Sequence, residues 1–121
     1  RHDARSAWLR FPLLVENREE LLDAARRESV ELGDWFSAPL HPAGSNGAAF
    51  GYRPGICPVA DWASHRIVNL PTHPHVTTER AHEILDFVLA TAVLTPPEAR
   101  PGRDAGRVDA ANAGRGATHL R

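Results

Sequence analysis

The 121-residue chain contains no lysine, although it carries 14 arginines. Schiff-base chemistry needs a free side-chain amine, and arginine cannot supply one because its guanidinium stays protonated near neutral pH. Methionine is also absent. A complete translation product starts with Met, whose removal requires a small second residue, and Arg1 is not small. The expectation is that Arg1 marks a cut, as in a fragment, a partial gene or a processed piece. The single cysteine, Cys57, excludes an internal disulfide framework and fits a reducing compartment. No apolar run approaches the roughly 20 residues that span a bilayer, and the first residues lack the order of a signal peptide. Fourteen cations against 15 anions give a formal charge of -1, with no excess to attract nucleic acid or an acidic membrane. A cytoplasmic location with neither of those partners is expected.

What is present alternates between strand and helix signals. Residues 8–15 form a short apolar run of strand length, in which Pro12 cannot donate to a ladder, so the strand is expected at an edge or with a bulge. Asn17 reads as an N-cap, with Glu20 at the capping-box position. Leu21, Leu22, Ala24 and Ala25 follow at helical spacing, which predicts a helix from Arg18 to about Glu28. Residues 30–32 begin a second strand that Gly33 ends or bends. Residues 34–42 form a stiff aromatic segment with two prolines, followed by a glycine-rich loop. Pro58 is suited to the first position of a helix, and residues 67–70 form a third strand stopped by Pro71. Thr77 or Thr78 caps the last helix. Its apolar positions Ala81, Ile84, Leu85, Val88, Leu89, Ala92 and Val93 give the clearest amphipathic stripe in the chain.

The fold class expected is α/β in the α+β sense: a small sheet of about three short strands with about three helices packed on it. Residues 1–7 read as a leader or broken linker and residues 8–94 as the folded unit. Residues 95–121 hold only Val108 and Leu120 as large aliphatics. Burial there cannot offset an ordering cost of roughly 1–2 kcal/mol per residue, so disorder is expected.

Three stretches carry a specific resemblance: residues 11–22 (FPLLVENREELL), residues 31–42 (ELGDWFSAPLHP), and residues 57–60 (CPVA) with 68–74 (VNLPTHP) and 76–77 (VT). In this order and spacing they resemble the C-terminal small domain of fold-type-I, pyridoxal-phosphate-dependent sugar aminotransferases of the DegT/StrS family. The resemblance covers about two-thirds of the chain. It implies a missing large domain that brings the Schiff-base lysine, a homodimeric intact enzyme, and a keto- or amino-sugar substrate, nucleotide-linked. Pyridoxal phosphate would serve that intact enzyme and would not be bound covalently by this chain, which is expected to be inactive alone. Ser29 departs from the family, which has glycine there. If that position is left-handed, serine costs roughly 1 kcal/mol.

The resemblance sets His41 near the mouth of the active site, where it could hydrogen-bond a sugar hydroxyl or a phosphate; the alternative is a loop histidine satisfying nearby carbonyls. Trp35 and Phe36 could stack on a sugar ring or pack under the loop. Tyr52 and Arg53 could contact a ligand, arginine being suited to phosphate or carboxylate, or belong to a solvated loop. No catalytic residue is assigned. His73, His75 and His82 lack a recognisable metal-ligand spacing, and none is assigned to a metal. Cys57 reads as a small buried residue or helix cap. An exposed apolar surface facing the missing large domain is expected around Trp8, Phe11, Trp35 and Phe36. The alternative to an enzyme portion is a stand-alone binding module derived from that domain.

Overall fold

The computed structural model describes residues 9–102. Among them, strand β1 (Phe11–Leu14) leads into helix α1 (Arg18–Arg27). A long loop with a 3-10 turn at Gly47–Phe50 follows, then helix α2 (Pro58–Ser64), strand β2 (Ile67–Leu70) and helix α3 (Thr78–Thr91). The expected mixed α/β class is observed, with a small antiparallel sheet and three helices.

β1 and β2 pair with Phe11 opposite Leu70 and Pro12 opposite Asn69. Asn69 exchanges both backbone hydrogen bonds, each 2.8 Å, with Gly33 on the far side of β2. Pro12 and Asn69 therefore form a pair without mutual hydrogen bonds, and the N–H that proline lacks is not required by that pair. On the other side of β1, the N–H of Thr95 donates to the carbonyl of Leu14 at 2.8 Å, beside a single bridge between Val15 and Leu94. The chain then turns into a 3-10 segment at Pro97–Ala99, so among the described residues no strand continues along Pro12 on that side.

The third strand expected over residues 30–32 is reduced to the isolated Gly33–Asn69 bridge. The N–H of Val30 is used to close α1, donating to the carbonyl of Ala25 at 2.8 Å. Ser29, just before it, has φ 56°, the left-handed helix-ending conformation that favours glycine. The segment is thus partly a helix terminus and reaches β2 only at Gly33.

α1 starts and ends close to the positions its pattern predicts, but Asn17 does not cap it with its side chain. Its Nδ2 donates instead to the carbonyl of Thr91 at 2.9 Å, and its Oδ1 accepts from the N–H of Val93 at 2.8 Å. Asn17 therefore clamps the C-terminal end of α3 against the start of α1. α2 begins with Pro58 at its first turn, and Thr77 caps α3 by accepting from the N–H of Arg80 at 3.2 Å.

Val15, Leu21, Leu22 and Val68 form the centre of the core, with Leu13, Leu32, Phe87 and Ala92 packed around it. α3 adds Ile84 and Val88, both buried. Its apolar stripe is wider than this small core. Leu85 and Leu89 on a second row, and Val93 just beyond the helix end, stay 42%, 76% and 55% exposed. Arg18 is buried, which the sequence pattern does not suggest: its Nε donates to the carbonyl of Ile67 at 2.9 Å and its Nη2 to that of Asp34 at 2.7 Å. It ties α1 to the start of β2 and to the aromatic segment.

Of the expected disordered stretch 95–121, residues 103–121 lie outside the described residues, as do residues 1–8 of the expected leader and first strand.

Candidate functional site

The aromatic segment after Gly33 is anchored from below. The carbonyl of Asp34 is held by Arg18, and that of Trp35 accepts from the Asn69 side-chain amide. Both anchors are buried, so the backbone is fixed while the rings project outward. Trp35 and Phe36 stack with centroids 5.0 Å apart and planes 13° apart. The His41 imidazole lies edge-on to both, at 5.4 Å from Trp35 and 5.6 Å from Phe36. Three of the five residues singled out by sequence thus meet in one cluster.

A cleft of about 340 Å³ opens beside it, walled by Phe36, Pro39, Leu40 and His41 on one side and by Ala60, Ala63 and Ser64 of α2 on the other, with Ile67 between. Trp35 does not line it but supports Phe36 and His41. The cleft is mainly apolar with an imidazole at its wall, a combination that accepts the face of a ring and offers one directional hydrogen bond.

Tyr52 and Arg53 are not among its walls. The Tyr52 hydroxyl donates to the Asp61 carboxylate, whose other oxygen accepts from the N–H of Gly55 at 3.1 Å. The hydrogen bond to Asp61 pushes the Tyr52 phenol up to about 12, assisted by burial and by the Asp61 charge. Gly47 makes room for this packing, since a Cβ there would lie 2.7 Å from Cδ1 of Tyr52. Tyr52 is therefore a latch between loop and helix. Arg53 lies exposed in the turn closed by the N–H of Ile56.

His73 and His75 have ring centroids 5.9 Å apart, and Nε2 of His73 meets the two Glu31 carboxylate oxygens at 3.1 and 3.2 Å. His82 is exposed on α3. Among the described residues no group of three or more potential ligands converges on a metal position. Cys57 is exposed at the N-cap position of α2, with no side-chain capping bond. The burial expected for it is absent because the residues before α2 run along the surface. Also among the described residues, no helix is long and apolar enough to cross a membrane.

Sequence reasoning passed over Arg10, whose guanidinium carbon lies 4.9 Å from the centre of the Trp35 ring. It also passed over Asp61 and Arg18, whose partners are distant in sequence.

The donor set does not fit covalent attachment of a carbonyl cofactor, because no side-chain amine exists anywhere in the chain. What these residues can do is bind and orient a ring-bearing ligand.

The erythromycin biosynthesis sensory transduction protein EryC1 of Saccharopolyspora erythraea is 34% identical over 88 residues, covering 73% of this chain and 23% of that protein. The uncharacterized protein MJ1066 of Methanocaldococcus jannaschii is 27% identical over 90 residues, 69% of this chain and 23% of the relative. The matched stretch therefore spans under a quarter of either relative. No solved structure gives a significant match. The profile of one family covers residues 1–89, and on that match the chain belongs to the DegT/DnrJ/EryC1/StrS aminotransferase family.

Proposed function

We propose that this chain is the C-terminal small-domain portion of a pyridoxal-phosphate-dependent aminotransferase acting on a keto- or amino-sugar, nucleotide-linked. It closes the active-site cleft and lines the sugar pocket with Phe36 and His41, with Trp35 in support. The cofactor would supply the amino-carrying chemistry from the large domain. This chain contributes binding, orientation and exclusion of water, and is inactive alone for want of a lysine. A cytoplasmic homodimer is the form proposed for the intact enzyme.

The observation that carries the reading is the apolar cleft walled by Phe36 and His41 on a rigidly anchored segment. Two further facts support it. The matched stretch spans only 23% of each relative. The described residues also leave Phe11, Leu85, Leu89 and Leu94 46%, 42%, 76% and 57% exposed, apolar area that fits a neighbouring domain. Phe11, Trp35 and Phe36 of the expected apolar surface are indeed exposed, whereas Trp8 lies outside the described residues.

The test is to express the uninterrupted reading frame that contains this chain and assay amino transfer to a nucleotide-linked keto-sugar. His41→Ala and Phe36→Ala are expected to raise KM for the sugar on the order of tenfold, with the cofactor's visible absorbance unchanged. A reading frame with no lysine-bearing domain, or variants with unaltered KM, would overturn the proposal and favour a stand-alone binding module.

A further inference from the structure

We propose that Arg10 is the phosphate-binding residue of this cleft and receives the diphosphate of a nucleotide-linked sugar, an assignment that rests on reading the Phe36–His41 cleft as a sugar pocket. Among the described residues, Arg18, Arg26, Arg66 and Arg80 each meet a carboxylate within 4.0 Å. Arg10 meets the face of Trp35 instead, at 4.9 Å. Stacking restrains a guanidinium without consuming its in-plane N–H donors, which stay available to a ligand.

The position is built by its neighbours. A Cβ on Gly33 would stand 3.2 Å from Nη1 of Arg10 and 3.2 Å from Cβ of Asn69, so the bare backbone of Gly33 leaves the slot that Arg10 fills. Glu31 lines the same shallow hollow. Its carboxylate is engaged by His73 through both oxygens. Trp35 touches Arg10 and Phe36 at once, placing the cation one ring beyond the wall of the sugar cleft. A planar fork of donors restrained by an aromatic face suits a phosphate, which accepts two parallel hydrogen bonds from it. Two phosphates could arrive here, that of the nucleotide and that of the cofactor. The contact through Trp35 to the sugar cleft favours the nucleotide.

The experiment titrates the full chain with uridine diphosphate, uridine and pyridoxine 5′-phosphate, following the Trp35 indole and His41 imidazole resonances. Uridine diphosphate is expected to shift both and to bind at least tenfold more tightly than uridine. Arg10→Ala should weaken it on the order of tenfold to a hundredfold. Arg10→Gln, which keeps a planar group over Trp35 without the charge, should lose as much, and Arg10→Lys should lose less. Uridine diphosphate that shifts the cleft resonances equally in Arg10→Ala and Arg10→Gln would overturn the role of Arg10 while leaving the cleft standing. Failure of any probe to shift Trp35 or His41 would remove both readings. Tighter binding of pyridoxine 5′-phosphate than of uridine diphosphate would overturn the nucleotide assignment.

Discussion

The hydroxyl of Tyr52 donates to the carboxylate of Asp61, and with the N–H of Gly55 on the other oxygen it joins the loop after the aromatic segment to α2. Because α2 forms one wall of the cleft, the latch also sets how that wall is held. Tyr52 is the only tyrosine in the chain, so its ionisation can be read without interference. Its folded pKa of about 12 lies above the ordinary 10.0. The stabilisation is therefore fully present below pH 10 and is lost as pH rises through 10 toward 12. Phenolate absorbance of the folded chain should show a midpoint near 12, moving toward 10 in Asp61→Asn. A midpoint near 10 in the unsubstituted chain would mean that the latch does not form in solution.

Asn17 gives a second prediction because its two possible roles respond differently to substitution. As an N-cap, asparagine and aspartate are nearly equivalent. As a clamp on α3, the side chain must donate to Thr91 as well as accept from Val93. Asn17→Asp keeps the acceptor, loses the donor and sets a charge against a carbonyl. It should therefore destabilise the chain by about 1–2 kcal/mol, as should Asn17→Ala. Denaturant unfolding of both variants checks this, and an unchanged midpoint for Asn17→Asp would restore the capping role.

These residues mark where the sequence was legible. Periodicity announced all three helices because it records which side of a local element is apolar, and each helix decides that within a few turns. The stacked pair and His41 were visible because aromatic and imidazole groups between prolines are rare and chemically distinctive. Asn17, Arg18 and Asn69 were not legible in the same way. Each spends its side chain on a backbone group far along the chain: Thr91, Ile67 and Trp35, respectively. No local pattern encodes such a partner. The same limit hid Arg10, whose role depends on the space that Gly33 leaves. The shortened third strand was hidden by competition for one N–H, that of Val30.

Ser29 offers a direct gain in stability. Its φ of 56° places a Cβ where L-residues are disfavoured, and its side chain is exposed. The position contributes through its backbone: its N–H donates to Arg26 and its carbonyl accepts from Arg80 at 2.7 Å. Ser29→Gly keeps both bonds and relieves the strain, and should stabilise the chain by about 1 kcal/mol. Ser29→Val, β-branched at the same φ, should destabilise it. Thermal unfolding of the pair decides the matter, and equal midpoints would show that α1 ends differently in solution.

Among the described residues, Glu16 and Glu79 are carboxylates held below their ordinary range. The Arg66 hydrogen bond holds Glu16 below the ordinary 4.5. At the start of α3, backbone hydrogen bonding lowers Glu79, with the Thr77 side chain adding to it. For a carboxylate depressed in the folded state, the stabilisation is present above the unfolded pKa and disappears as pH falls through the folded one. Stability should therefore be level above about pH 5 with respect to these groups and decline below pH 4.5. Arg66, between α2 and β2, reaches Glu16 in the connection from β1 to α1, at 3.2 Å, so Glu16→Gln should flatten part of that decline without altering stability greatly at neutral pH. Both side chains are partly exposed, and the pair should weaken with added salt. Urea midpoints of the chain and of Glu16→Gln, measured between pH 3 and pH 7 at low and high ionic strength, check the assignment. Parallel curves for the two proteins across that range would show that Glu16 plays no part in acid unfolding.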